Sequence, residues 1–288
     1  MSPASEKAPV SVLVPVRNEE RNLPRCLAAL TWADEVCVVD SASTDRTAAI
    51  AGSFGARVEQ FVYSGGYPKK KNWALENVAL RNEWVLIVDA DEVITPELAA
   101  EIADVLREPS CDGYFVNRRF LFMGHWIRHC GYYPSWNMRL FRRALGRYET
   151  ITAGPASTGD NEVHEHVVLQ GRTGYLRHDM LHYAYPDLAT WVEKHNRYSD
   201  WESYAGDILL RGRPEERWIG PAQRLKRSLR RVYARLPLRF VFRFFYAYVI
   251  RLGFLDGRPG LIFCLLLSFY DFLGWAKAIE RRLASDAA

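Results

Sequence analysis

The sequence lacks the glycine-rich loops of two common nucleotide-binding motifs. No Gly-x-Gly-x-x-Gly follows the first predicted strand, and no Gly-Lys-Ser/Thr loop occurs. These absences argue against a dinucleotide-dependent oxidoreductase and a P-loop nucleotidase. A disordered or fibrous class is also excluded, because 49% of the 288 residues are hydrophobic and 13% are aromatic, which is enough for a sizeable core.

Cysteine is scarce and shows no paired spacing. The five cysteines form an odd set without the pattern of a disulfide framework or a zinc site. We therefore expect reduced cysteines and a cytoplasmic protein. Residues 1–9 contain neither an apolar core nor a cleavage pattern, so no signal peptide is expected.

The most informative stretch is a short apolar run, Val85–Val88, that ends in the acids Asp89, Asp91 and Glu92. This pattern predicts a buried parallel strand with carboxylates at its carboxyl end, where open α/β sheets bind ligands. Two carboxylates one residue apart repel each other, so a divalent cation that carries a phosphate is the expected partner. The alternative is a solvated acidic loop that begins the next helix, with Thr95 as its N-cap.

Short apolar runs alternate with helical stretches up to Arg107, which is typical of βαβ units in a parallel sheet. We expect the ends of the first, second and fourth strands to meet at one edge. After Ser110, aromatic and basic extended segments predict a less regular second half. The predicted strands are Val10–Val16, Glu35–Asp40, Arg57–Val62 and Trp84–Asp89, and the predicted helices are Leu23–Leu30, Asp45–Phe54, Lys70–Leu80 and Asp187–Leu210.

Polar groups follow the strand ends, as a nucleotide pocket requires. Asp40 ends the second strand and could accept a hydrogen bond from a base or a ribose hydroxyl. The lysine cluster Lys69–Lys71 precedes a predicted helix. The cluster is either solvated at the helix start or, as the family resemblance given next implies, would place one lysine on a diphosphate.

Three motifs, in this order and spacing, resemble the inverting family 2 glycosyltransferases of the GT-A fold. Later motifs are similar to the bacterial branch that includes lipopolysaccharide core β-glucosyltransferases. The resemblance implies an α/β fold with a mostly parallel central sheet flanked by helices. The family motifs are Pro15–Glu20, Val38–Thr47 and Asp89–Glu92, and the later ones are Val163–Glu165, Leu181–Tyr183, Lys194–Tyr198 and Gly253–Gly257.

The resemblance also implies site residues. Asp91 would bind a Mg²⁺ or Mn²⁺ ion that bridges two phosphates, and His182 would add a metal ligand or phosphate donor, unless it is an ordinary core histidine. The implied base that accepts the acceptor's proton is Glu165, with Asp160 and Glu162 left open. The implied nucleotide-binding residues are Pro15, Arg17, Glu19, Asp40, Lys70, Asp89 and Ala90.

Four aromatic residues lie between the Asp89–Glu92 motif and the Val163–Glu165 motif, and they allow two interpretations. They could stack against an acceptor sugar, or they could be aromatic core. They are Trp126, Tyr132, Tyr133 and Trp136.

The carboxy-terminal region combines basic and apolar character. Every charged residue between Arg217 and Leu255 is basic, and Leu238–Leu255 and Leu261–Tyr270 are largely apolar. Neither stretch reaches the roughly 20 apolar residues that span a bilayer. We expect residues 216–288 to lie on an anionic membrane surface or to contact a second subunit, and residues 1–215 to form the catalytic domain. Nucleic acid is disfavoured, because long apolar runs have no role in a phosphate groove.

These observations predict a metal-dependent enzyme on the cytoplasmic face of the inner membrane. It would move a sugar from a nucleotide donor, a UDP-sugar being favoured, to a lipid-linked or membrane-anchored glycan. One alternative is a sugar nucleotidyltransferase, although its glycine-rich loop after the first strand is missing. The other is a non-catalytic membrane scaffold that resembles a glycosyltransferase.

Overall fold

The structure, a computed structural model, describes residues 7–150, 166–211 and 238–286. These residues form two compact units. Within the described ranges, the first unit comprises residues 7–121, 134–150 and 166–184, and the second comprises residues 122–133, 185–211 and 238–286.

Eight strands of the main sheet follow the order β3-β2-β1-β4-β8-β6-β11-β5. The first four of these are parallel neighbours, as the βαβ pattern predicts. Strand β8 is antiparallel to both β4 and β6, and β11 is parallel to β6 but antiparallel to β5. The strands are β1 (Ala8–Val16), β2 (Ala33–Asp40), β3 (Arg57–Gln60), β4 (Trp84–Ile87), β5 (Glu92–Ile94), β6 (Gly113–Phe122), β7 (His125–Trp126), β8 (Trp136–Arg142), β9 (Gly146–Tyr148), β10 (Val167–Leu169) and β11 (Thr173–His182).

Helices cover both faces of the parallel half of this sheet. Val12 and Val14 of β1 belong to a core cluster that includes Leu27 and Ile102, whereas Leu13 points to the opposite face. Burial on both faces explains why these strands are almost continuously apolar. The helices of the first unit are α1 (Leu23–Ala28), α2 (Thr47–Ser53), α3 (Lys70–Asn77) and α4 (Pro96–Arg107).

Helix α4 begins where its local sequence predicts. The hydroxyl of Thr95 accepts a hydrogen bond from the backbone N–H of Leu98 at 3.2 Å, and Pro96 and Glu97 occupy the first turn. The capped helix and the preceding carboxylates coexist, so the helix start predicted by the alternative interpretation is confirmed.

The second unit is mainly helical. Its helices are α5 (Leu188–Arg211), α6 (Arg239–Phe245) and α7 (Gly257–Asp286). Between α6 and α7 the chain forms a π-helical turn at Tyr246–Ile250 and a 3₁₀ turn at Gly253–Asp256. The apolar stretch predicted at Leu238–Leu255 is therefore divided among three kinds of helix.

The motif Gly253–Gly257 fixes this division. A side chain at Gly253 would lie 2.8 Å from the carbonyl of Ala247 and from the sulfur atoms of Cys130 and Cys264. The carboxylate of Asp256 accepts hydrogen bonds from the backbone N–H and from Nδ1 of His129, each at 2.8 Å. This motif is thus structural: it packs the chain tightly and anchors it through one buried acid.

The predicted run Leu261–Tyr270 lies within α7, which is much longer than the run. An 18-residue window of the helical stretch Gly253–Ser285 has a mean hydropathy of 1.5, and 22% of that window is buried. By length and composition alone this stretch could cross a bilayer, which corrects the expectation that the segment is too short.

Candidate active site

The ends of β1, β2 and β4 meet at one edge of the sheet. Val16 of β1 lies beside Asp40 of β2, and Leu13 lies beside Ile87 of β4. Asp89 follows Ile87 after one residue, so the predicted carboxylates do converge at the carboxyl edge of the parallel strands.

Asp40 is almost fully buried and organises the loop after β2. Its carboxylate accepts hydrogen bonds from the backbone N–H of Ser43 at 3.2 Å, from the Ser43 hydroxyl and from the amide of Gln60 at 3.1 Å. The loop after β1 is tied to it, because the N–H of Asn18 donates to the Ser43 hydroxyl at 2.9 Å. Asp40 therefore holds two strand-end loops in one arrangement.

The three residues predicted at the end of β1 differ in exposure. Pro15 is partly exposed and Arg17 is exposed, at the edge where a base would bind. Glu19 accepts a hydrogen bond from the Asn22 side chain at 2.8 Å, and its N–H donates to the Thr47 hydroxyl at 2.8 Å. Their nucleotide-binding roles stay predictions.

Asp89 lies between two cations. Its carboxylate is 2.8 Å from Nζ of Lys71 and 2.7 Å from Nη2 of Arg139. Burial alone raises the pKa of Asp89, but Arg139 and Lys71 outweigh burial and hold that pKa well below its usual range. Asp89 is therefore ionised at neutral pH, and its side chain keeps an exposed fraction of 31%.

Glu92 shares the same network from a fully buried position. One of its carboxylate oxygens is 2.5 Å from Nη2 of Arg139, and the other accepts the backbone N–H of Asp89 at 3.0 Å. Arg118 approaches the same carboxylate at 3.4 Å. The third acid of the Asp-Ala-Asp-Glu run thus shapes the turn and does not face a ligand.

Asp91 and His182, the two predicted metal ligands, lie side by side. Oδ2 of Asp91 is 3.6 Å from Nε2 of His182, and each side chain has an exposed fraction of 18%. The antiparallel pairing of β11 with β5 sets this distance, because His182 lies beside Glu92, and the N–H of Tyr183 donates to the carbonyl of Asp91 at 2.8 Å.

This pair fits a hard divalent cation that is shared with a substrate. Mg²⁺ and Mn²⁺ sites commonly use one or two protein ligands and take the remaining oxygens from phosphates and water. Within residues 7–150, 166–211 and 238–286, no group of three or more His, Cys, Asp or Glu side chains could hold a metal alone. Asp91 and His182 are two accessible ligands at a strand edge, so they match a site in which substrate and water supply the remaining ligands.

The lysine cluster is not solvated. Lys69 and Lys70 are buried, and Nζ of Lys70 donates to the carbonyl of Val16 at 3.0 Å. Lys71 instead reaches Asp89. The solvated-cluster alternative is therefore wrong, and Lys71 is the lysine whose charge faces the carboxylate edge. Ala90, also buried, lies between the two aspartates.

Two sets of predicted residues have different outcomes. The candidate bases Asp160, Glu162 and Glu165 lie outside the described residues. Of the aromatic group, Trp136 is 40% exposed and packs edge-on against Tyr175 in the first unit. The other three belong to the second unit, where Trp126 packs on Tyr133 and Tyr132 packs on Phe263.

Sequence reasoning missed Arg139, the residue that joins Asp89 to Glu92. Arg139 lies in β8 and is only 4% exposed to solvent. It is fifty positions from Asp89 in the chain. An arginine inside the otherwise apolar run Met138–Phe141 was the available signal, because a buried arginine requires an acid partner.

Comparison with known proteins identifies the family of this chain. The family model described as "Glycosyl transferase family 2" matches residues 11–167. An uncharacterized glycosyltransferase of Rickettsia felis is 28% identical over 283 residues, which are 96% of this chain and 91% of the relative. The lipopolysaccharide core biosynthesis glycosyltransferase LpsC of Rhizobium meliloti is 31% identical over 204 residues, 67% of this chain and 70% of LpsC.

A solved structure supports the fold. The mannosyltransferase PcManGT from Pyrobaculum calidifontis superposes with a TM-score of 0.53 at 16% identity, covering 95% of this chain and 87% of that one. The expected GT-A fold is confirmed. With the family match over more than half of its length, the chain belongs to glycosyl transferase family 2 and is a glycosyltransferase.

Proposed function

We propose that this chain is a metal-dependent inverting glycosyltransferase. It transfers a sugar from a nucleotide-diphosphate donor, with a UDP-sugar favoured, to a lipid-linked or membrane-anchored glycan such as lipopolysaccharide core. The observation that carries the proposal is the accessible pair of Asp91 and His182 beside the ion network of Asp89. The naming of LpsC for lipopolysaccharide core biosynthesis supports the acceptor class.

Each residue at the carboxylate edge has a proposed role in binding the donor. Asp91 and His182 hold Mg²⁺ or Mn²⁺, which supplies positive charge to the two phosphates when bound. Lys71 and Arg139 keep Asp89 ionised and fixed, so that its carboxylate can accept hydrogen bonds from the donor's ribose. PcManGT was solved with GDP-Man and Mn²⁺, which supports a nucleotide sugar and a divalent cation on this fold.

An inverting transfer also needs a base. The acceptor hydroxyl attacks the anomeric carbon, the bond from that carbon to the diphosphate breaks, and the hydroxyl proton passes to the base. We assign the base to Glu165, in line with the family resemblance. The same resemblance supports Pro15, Arg17, Glu19, Asp40, Lys70 and Ala90 as the rest of the nucleotide site.

We further propose that residues 1–215 carry catalysis and that residues 216–288 bind the cytoplasmic face of the inner membrane. The lipid-linked acceptor class and the apolar helix of the second unit support this division. The basic residues Arg217–Arg235 of that region lie outside the described residues.

The test is a product assay with a panel of nucleotide sugars and Mn²⁺. We expect one sugar nucleotide to be slowly hydrolysed with release of nucleoside diphosphate, and we expect Asp91→Ala to abolish this release while unfolding at the wild-type temperature. Asp104→Ala is the matched control, because Asp104 is an exposed acid on α4 paired only locally with Arg107. Release of pyrophosphate would instead favour a nucleotidyltransferase, and no donor turnover or binding at all would favour a scaffold.

A further inference from the structure

The helix α6 and the π-helical turn after it present an apolar stripe to the outside of the second unit. The exposed residues recur every three or four positions, which is one face of a helix. Their exposed fractions run from 39% to 68%. This outward stripe consists of Val241, Phe242, Phe245, Tyr246, Val249 and Ile250.

The other side of the same segment packs inside the second unit. Phe240 lies against Phe272 and Trp275 of α7, and Ala247 is buried. A helix on a water-facing surface has apolar residues on its core side and charges on its solvent side. This segment is instead apolar on both sides, which indicates that the medium outside the stripe is not water.

Helix α7 repeats the feature on a smaller scale. Phe263, Cys264 and Leu267 are buried, whereas Leu261 and Leu265, one turn apart, are exposed. Two consecutive helical segments of this unit thus leave apolar residues outside after their own packing is complete.

The charges around the outward stripe are basic. From Leu238 to Leu255 every charged residue is an arginine, and Arg251 and Arg258 are exposed. The first acid, Asp256, is occupied by the two hydrogen bonds to His129. Exposed apolar residues beside arginines match a surface that is both apolar and anionic.

A second copy of the chain matches this surface less well. In a two-fold dimer the same patch faces itself, so the exposed arginines beside the stripe, Arg251 and Arg258, would be brought towards their own equivalents. We infer that the outward stripe inserts into the interfacial layer of an anionic lipid bilayer, with its flanking arginines on lipid phosphates. The inference rests on the proposed function, because it names the side chains through which residues 216–288 would bind the membrane.

The experiment is co-sedimentation of the full chain with vesicles of equal parts phosphatidylglycerol and phosphatidylcholine, compared with pure phosphatidylcholine. We expect wild type to prefer the anionic vesicles and Phe242→Ser/Phe245→Ser to bind them at least about tenfold more weakly. The control is Phe54→Ser/Val62→Ser, which removes two side chains of the first unit that are 46% and 80% exposed. It should bind like wild type.

Two further measurements keep the outcome decisive. Val249→Ser/Ile250→Ser should show the same loss, so a folding failure of one double variant does not decide the result. Asp91→Ala should bind vesicles like wild type, because binding is measured without donor or acceptor. A variant that loses sugar transfer can thus be distinguished from one that loses membrane binding. Unchanged vesicle binding by both stripe variants would overturn the inference. It would also be overturned if light scattering showed that wild type is a dimer and both variants are monomers while their vesicle binding is unchanged.

Discussion

Within the part of the chain that the structure describes, Arg139 is the one cation that contacts both Asp89 and Glu92. Glu92 is fully buried and the Arg139 side chain is 5% exposed. Removing the arginine leaves a buried carboxylate without its closest partner, which costs far more than an exposed ion pair contributes.

We therefore expect Arg139→Met to lower the free energy of unfolding by about 3–5 kcal/mol. Lys71→Met is the matched comparison, because it removes a cation from Asp89 where the carboxylate keeps an exposed fraction of 31%, and its cost should be clearly smaller. Urea denaturation of the two variants measures both values. Equal costs for the two variants would contradict the central place of Arg139.

His195 gives the second unit a dependence on pH. Its ring stacks on Trp191 with centroids 3.6 Å apart, and its Nδ1 is 2.8 Å from the Trp191 carbonyl. Burial lowers the pKa of His195 from 6.5 to about 4. The folded protein thus favours the neutral ring, and this contribution to stability is complete above pH 6.5 and is lost as the pH falls towards 4.

We expect the wild-type free energy of unfolding to fall by on the order of 3 kcal/mol from this group between pH 6.5 and pH 4. His195→Phe should lack that part of the slope, whereas His125→Gln, a change at an exposed histidine, should keep it. Denaturant titrations at several pH values measure the slopes. Parallel slopes for wild type and His195→Phe would refute the assignment.

At the scale of single elements, the cap of α4 joins the carboxylate edge to β11. The Thr95 hydroxyl accepts from Leu98 and also donates to the carbonyl of Asp179 at 3.0 Å. Thr95→Ala should cost about 1 kcal/mol, typical of a lost N-cap, and Thr95→Ser should restore most of it. Thermal unfolding measures the difference, and a Thr95→Ser variant as unstable as Thr95→Ala would show that the methyl group matters more than the cap.

The predictability of each element depends on where its determinants lie. The start of α4 and the strands around Asp40 and Ile87 follow from local signals, and the sequence patterns predict them well. The pairing of β5 with β11 brings together segments more than eighty residues apart, and no periodicity encodes it. The break after α6 likewise depends on Gly253 packing against Cys130, a distant contact.

The same contrast holds for the site. Asp89 and Asp91 could be predicted, because an apolar strand that ends in acids is a local pattern with a physical meaning. The partners of Asp89 could not be predicted from the sequence. Arg139 comes from β8, and the start of α3 decides which of the three lysines faces Asp89. His182 was predicted only by resemblance, and its distance from Asp91 depends on the sheet pairing.

At the scale of the whole molecule, the chain combines a family 2 glycosyltransferase fold with a unit that exposes apolar helical faces. A soluble donor and a membrane-borne acceptor would account for both. We propose that catalysis depends on a cation beside Asp91 and that vesicle binding depends on the outward stripe, so we expect each to be removable without the other.

The most direct test of the account is calorimetric titration of the protein with UDP in the presence of Mn²⁺ or of EDTA, for wild type, Asp91→Asn, His182→Gln and the control Asp104→Asn. We expect wild type and the control to bind UDP at least about tenfold more tightly with Mn²⁺ than with EDTA. We expect the two site variants to lose that gain. Equal gains in Asp91→Asn and wild type would contradict the proposal that this carboxylate holds the cation.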